Sequence, residues 1–165
     1  MKTKLTVELV PKGQWGANLR SELPKEQWDR LRKATYAKAG HQCEICGGRG
    51  PKWPVECHER WRYDEDTKAQ VLEGLIALCP SCHEVKHIGR AGAVGRGEEA
   101  LAHLMKVNGW SSEDAQHYIE AAFETWARRS RENWTLDLSW LNGQNPDQYE
   151  GEVDRILSTM ENTDG

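Results

Sequence analysis

Leu5, Val7 and Leu9 alternate with polar neighbours ahead of Pro11, a period of two that predicts a short N-terminal strand. After a turn-rich stretch through Gly13 and Gly16 the period lengthens. Trp28, Leu31 and Thr35 fall on one helical face, with Pro24 in the first turn and Gly40 as the stop. A hairpin is predicted next: extended from about Val55 to Tyr63, an acidic turn over residues 64–67, and a return through Val71. Residues 82–88 then form a short helix that stacks His83 and His87, four positions apart, on one face. The glycine-rich stretch 89–97 predicts a flexible, basic loop. Helices follow over residues 98–107 and 112–131, the second carrying Ala115, Tyr118, Ile119, Ala122, Phe123 and Trp126 at helical spacing. Leu136, Leu138 and Trp140 alternate as a closing strand, and Val153, Ile156, Leu157 and Met160 mark a small amphipathic helix suited to a partner.

This pattern fits an α+β chain of 165 residues, long enough to bury one real core. The total charge of −4, from 22 Lys plus Arg and 26 Asp plus Glu, argues against nucleic-acid binding if taken alone. Its distribution changes that picture. Residues 30–96 carry 12 basic and 8 acidic side chains, whereas residues 97–165 carry 5 basic and 14 acidic, so a basic centre precedes an acidic tail. The first apolar run is too short, and is broken by Glu8, to serve as a signal peptide, and no stretch approaches a membrane span. A cytoplasmic location with no membrane partner is the expectation.

The cysteines sharpen it further. Cys43-x-x-Cys46 and Cys79-x-x-Cys82 are two tight knuckles whose four thiols can surround one zinc, and an odd total of 5 cysteines speaks against a disulfide framework. A zinc so enclosed has no open position, so its role is to tie together the two ends of the hairpin. His83 and His87 follow the second knuckle directly, and Cys57-His58-Glu59 lies on the outgoing strand. One imidazole from a strand and two from a helix can thus converge on a second, open metal position.

That arrangement over residues 43–88 resembles the HNH endonucleases, and the flanks resemble a phage and bacterial group of HNH-type proteins through VELVP, CHERW and ALCPSCHEVKH. The resemblance implies a ββα-metal (HNH) zinc module embedded in helices, with short N- and C-terminal strands. It implies phosphodiester hydrolysis with His58 as general base, and His83 and His87 as ligands of a catalytic divalent metal such as Mg, Mn, Ni or Zn. Two positions depart from the family. Its residue before the base, Asp or His, is Cys57, and its central Asn is Gly74. Glu56, Glu59 and Glu73 lie near enough to stand in, and Glu59, adjoining the base, is the expected second catalytic residue.

The chain is accordingly read as an N-terminal strand and helix (1–40), the zinc module (41–97), a helical extension ending in a short strand (98–141) and an acidic tail (142–165). Expected partners are nucleic acid, DNA in the first place, tracked by Arg60, Arg62, Lys86 and Arg90, and a protein met by the acidic C-terminal region. Among the 8 tryptophans only Trp53 and Trp61 lie in the basic module, and burial is expected for most of the rest. The plainer alternatives are a structural His58, a Cys57 that is only a small buried hydrophobe, and a basic face that is merely solvated. Two other functions remain open on these residues: a catalytically silent zinc module that binds nucleic acid or protein, in phage–host conflict for example, and a second structural zinc held by the three histidines.

Overall fold

The structure, a computed structural model, describes residues 3–143. The elements run α1 (Leu19–Glu22), α2 (Lys25–Lys38), β1 (Glu56–Asp64), β2 (Ala69–Leu78), α3 (Pro80–Lys86), α4 (Ile88–Ala93), α5 (Gly97–Asn108), α6 (Ser112–Arg129) and β3 (Thr135–Asp137). Short 3-10 turns lie at Lys12–Gln14 and Ser139–Gly143. The class is therefore mixed α+β, as the hydrophobic periods predict. The predicted tail helix lies outside the described residues.

β1 and β2 form an antiparallel hairpin, and β3 joins β2 in parallel, giving the order β1-β2-β3 with β1 at an edge. The side chains of β1 alternate between two cores. Cys57 packs with Leu19, Leu31, Leu72 and Leu141 beneath α1 and α2, and Trp61 packs against that cluster. On the other side Leu78, Cys82, Val85, Leu104 and Ala115 join the hairpin's end to α3, α5 and α6. His58, one step from Cys57, faces this second side.

Local sequence accounts for the helices. α2 buries Gln27, Trp28, Leu31 and Thr35 along one face, as its spacing predicts. It is followed by Gly40 at φ +64, where a side chain would be strained. α1 has no counterpart in the hydrophobic pattern; Asn18 and Ser21 build a reciprocal capping box on it.

Three sequence expectations are corrected. Leu5, Val7 and Leu9 do pack on one core while Thr6, Glu8 and Val10 between them are half-buried, but residues 5–10 pair with no strand among the described residues. Side chains hold this strap instead. Asn108 Oδ1 accepts from the N–H groups of Lys4 (3.0 Å) and Leu5 (2.9 Å), and Tyr118 OH accepts from Val7 N–H (3.0 Å). The Glu8 N–H donates to the Lys86 carbonyl at 2.9 Å. The predicted basic loop 89–97 contains α4, because Ile88 and Ala91 bury one side of a helical turn. The closing strand is only three residues, and the Leu138–Trp140 region has turned into a 3-10 segment that buries Leu141.

Candidate functional site

The two knuckles bring the sulfurs of Cys43, Cys46, Cys79 and Cys82 within 4.8 Å of one another. Backbone amides point at them: Cys46 N–H to Cys43 Sγ (3.5 Å), Gly48 N–H to Cys46 Sγ (3.4 Å) and Cys82 N–H to Cys79 Sγ (3.4 Å). Such bonds favour thiolate over thiol. Glu44 anchors the first knuckle to the end of β2, accepting the Ala77 N–H on its carboxylate (2.7 Å) while its own N–H donates to the Ala77 carbonyl (2.9 Å).

Four ionised sulfurs this close cannot persist without a counter-charge. Cys43 is held down to about 4, first by the Cys82 thiol, whereas the Cys43 sulfur in turn pushes Cys82 far up; burial and then the thiolates push Cys79 up to about 11. A dication relieves that conflict. The Cys46–Cys79 sulfur separation of 3.6 Å is close to the roughly 3.8 Å edge of a tetrahedron with Zn–S bonds of about 2.3 Å. The donor set therefore fits zinc.

The second cluster is His58, His83 and His87, with ligand atoms within 4.8 Å of one another. His58 comes from β1, His83 from the first turns of α3, and His87 from the junction of α3 and α4. The expected shared helix face is thus corrected at His87. It terminates α3 at φ −101, ψ 47 rather than lying within it. Its Nε2 is nevertheless 3.2 Å from His83 Nε2, near the roughly 3.3 Å expected between two imidazoles on one tetrahedral zinc. Loss of water around the ring, then the His83 and His58 rings, hold His87 down to about 4, so it favours the neutral form that binds metal.

Two carboxylates flank the cluster, and one of them, Glu8, lines the same cleft as His58 and His87. Glu56 Oε1 meets His83 Nδ1 at 3.0 Å and is itself fixed by the Trp53 indole N–H at 3.0 Å. His83 Nδ1–H donation leaves Nε2 as the lone-pair nitrogen facing His87. Hydrogen bonding to His83 holds Glu56 below the usual carboxylate range. Glu8, from the N-terminal strap, meets His58 Nε2 at 2.5 Å. With Nε2–H donating to Glu8, the lone pair of His58 lies on Nδ1, which is buried and has no hydrogen-bond partner among the described residues.

Other expected residues are placed differently. Glu59 lines the cleft beside His58, but its carboxylate accepts the Leu19 N–H at the start of α1 (3.1 Å), so the bracing carboxylate on His58 is Glu8 and not Glu59. Cys57 faces the opposite core, where burial pushes its thiol up to about 12, and it is no part of the histidine cluster. Gly74 sits opposite Arg60 across the hairpin, and a Cβ there would lie 2.6 Å from the Arg60 guanidinium. The missing side chain makes room for Arg60. Lys86 is only 6% exposed and donates to Thr6 Oγ1 at 2.6 Å, which removes it from the expected basic surface. Arg62 is tied to Glu73 at 3.1 Å, while Arg60 and Arg90 are exposed.

Sequence reasoning missed Glu8 and His103. The only trace of Glu8 was its polar position in the Leu5–Val7–Leu9 alternation, which aims it away from the core those residues enter. His103, on α5, brings Nε2 to 3.2 Å from Cys82 Sγ, and nothing in its spacing marks it.

The fold and site define an α+β chain with a four-cysteine cluster able to hold zinc and a separate three-histidine cluster able to hold a second ion. Among the described residues no helix is long and apolar enough to cross a membrane. Comparison of the chain with protein-family models, curated proteins and solved structures finds no match in any of the three.

Proposed function

We propose that the protein is a metal-dependent phosphodiester hydrolase of the HNH type, with the hairpin and α3 as its ββα-metal unit and the four-cysteine zinc as its structural support. One observation carries the reading: His58, His83 and His87 converge where His58 and His87 line a cleft, with Glu8 of the same cleft on His58 and Glu56 on His83. A closed structural site has no use for such an edge. His83 and His87 would hold the ion, oriented by Glu56. A bound divalent ion supplies positive charge against the phosphate and the leaving oxygen.

His58 acts as base. Glu8 takes its Nε2–H and fixes the tautomer, which leaves Nδ1 as the basic nitrogen; this atom is buried, so the attacking water it deprotonates is one enclosed beside it. Glu8 is a positioning residue, standing in for the bracing that the family obtains from its Asn and that Gly74 does not provide. Of the four expected contacts, Arg60 and Arg90 are the two that are exposed and have no ion pair among the described residues, which suits them to meet phosphate. Cytoplasmic nucleic acid, DNA in the first place, is the substrate on this reading.

Incubation of zinc-loaded protein with supercoiled plasmid and with RNA across Mg, Mn, Ni and Zn tests it. Wild type should nick or cut, and His58→Ala should be slower by about 10²–10⁴-fold. If both nucleic acids stay intact with every ion, the hydrolase reading fails.

A second reading is favoured by the mutual approach of all three imidazoles: His58 is then a third ligand, and the ion is structural in a silent binding module. Zinc counting separates the two. The base reading leaves metal stoichiometry unchanged in His58→Ala, whereas the ligand reading loses one ion per chain.

A further inference from the structure

A cavity of ≈ 580 Å³ opens directly in front of His58 and His87, and its far wall is aromatic. Trp15 is 64% exposed and Phe123 38% exposed, which places two of the four exposed large hydrophobics of the described residues in this single cleft. Exposure of that much aromatic surface is unfavourable unless something covers it. The wall is also fixed in position. The indole N–H groups of Trp15 and Trp126 both donate to the Val10 carbonyl at 2.9 Å, and their rings lie within 10° of parallel with centroids 6.4 Å apart. Phe123 meets Trp126 edge-on at 6.1 Å. With their polar edges satisfied internally, the indoles have only ring faces left to offer.

Cations border this wall. Arg90 lines the cleft from α4, exposed and with no side-chain hydrogen bond or ion pair among the described residues, and outside the lining Lys12 Nζ lies 5.3 Å from the Trp126 ring centre. The two carboxylates of the lining, Glu8 and Glu59, are engaged by His58 and by the Leu19 N–H. Flat ring faces beside positive charge, opposite a cluster suited to hold an ion on phosphate, match one chemical object: a nucleotide with its base on the wall and its phosphate towards the histidines.

We infer that this cleft receives an unpaired base, which makes single-stranded nucleic acid the substrate class of the proposed hydrolase. The inference rests on the hydrolase reading for the histidines but on separate residues for the base. A base inside a duplex is already stacked on both faces and presents only its edges, so it cannot use Trp15. Stacking on a fixed indole is tolerant of sequence.

The test is binding of zinc-loaded full-length protein, without further added metal and at fixed salt, to 12-nucleotide single strands of DNA and of RNA and to the matching duplexes. Intrinsic tryptophan fluorescence and anisotropy are read together. Single strands should quench the fluorescence and bind at least about 10-fold more tightly than duplex. Trp15→Ala should weaken single-strand binding by about 10-fold while Trp15→Phe retains most of it, because the ring face and not the N–H is used. The DNA and RNA arms show which sugar is preferred.

Equal binding of duplex and single strand, or single-strand binding indifferent to Trp15→Ala with the fold intact by circular dichroism, overturns the inference. Cleavage by wild type without single-strand preference removes this inference and leaves the hydrolase. Trp15-dependent single-strand binding without cleavage by any metal does the reverse.

Discussion

The four-cysteine and three-histidine clusters lie one α3 turn apart and are built on opposite principles. Three of the four cysteines, Cys43, Cys79 and Cys82, are buried in the core that also contains Leu78, Val85 and Leu104, Cys46 is exposed, and backbone amides point at three of the sulfurs. The histidines run from 2% exposed at His58 to an open edge at His87, arise from three segments, and are braced by carboxylates rather than by backbone. The cysteine centre turns three of its four donors into the core and ties the two ends of the hairpin segment together. The histidine centre keeps one side free, as a site that must admit a reactant requires.

The largest effect that sharpens this contrast is on stability. Cys43→Ser should abolish binding of one zinc and cost at least about 5 kcal/mol, given that structural zinc contributes roughly 10–16 kcal/mol to small domains. His87→Ala, at an exposed junction, should cost less than about 1 kcal/mol in protein carrying only the zinc of the cysteine centre. Thermal unfolding followed by circular dichroism, with zinc counted beforehand, checks both. A Cys43→Ser protein that keeps its zinc and its melting temperature would show that the two centres do not divide the labour in this way.

Next in size are the bracing carboxylates. Glu8→Gln keeps an acceptor for His58 Nε2–H but removes the charge, and turnover should fall by about 10–100-fold with the affinity for added metal unchanged. Glu56→Gln should do the opposite, weakening added metal by about 10–100-fold because it releases the orientation of His83. Steady-state rates measured across a metal titration separate the two variants. If Glu8→Gln weakens metal as much as Glu56→Gln does, Glu8 is supporting a ligand, and His58 belongs to the metal shell.

Much of this contrast could be read from the chain, for definite reasons. The Cys-x-x-Cys spacing forces a tight turn wherever it occurs, and His83 and His87 follow the second knuckle at a fixed interval, so each half of the cysteine centre and two of the three histidines are local in sequence, and the hairpin brings the rest together. The hairpin was legible because strand period and an acidic turn coincide at residues 56–78. Glu8 was not legible, since it reaches His58 across 50 positions and only the packing of the strap fixes that distance. The strap itself departs from a strand for a related reason: alternation reports which side is buried, and Asn108 and Tyr118 supply the hydrogen bonds that a neighbouring strand would have supplied. Burial is expected for most tryptophans outside the basic module; Trp15 is an exception, exposed with its indole N–H held by the Val10 carbonyl that also takes the half-buried Trp126.

The smallest expected effect concerns acid, and it asks which part of the molecule fails first. Glu65, in the hairpin turn, accepts from Arg128 and Arg129 of α6, with Arg129 Nε at 2.8 Å. These partners, Arg128 foremost, hold its carboxyl down to about 2 from an ordinary 4.5. A depressed carboxyl stabilises the fold above the ordinary value and loses that contribution only as pH falls through the interval from 4.5 towards 2. Exposure to solvent limits the contribution to about 0.5 kcal/mol. The cysteine centre responds to acid differently, because protons compete with zinc for each thiolate, and release takes up several protons together. Zinc-loaded protein should therefore lose zinc and fold in one step that lies above the Glu65 interval. In that step about 0.5 kcal/mol spread over about three protons moves the midpoint by only about 0.1 pH unit, so Glu65→Gln should titrate almost as wild type does. Zinc release read with a chromophoric chelator, alongside ellipticity, decides the order of events. Unfolding that begins only below about pH 4.5, with zinc release trailing it, would mean that the surface carboxylates and not the cysteine centre set the acid limit of this fold.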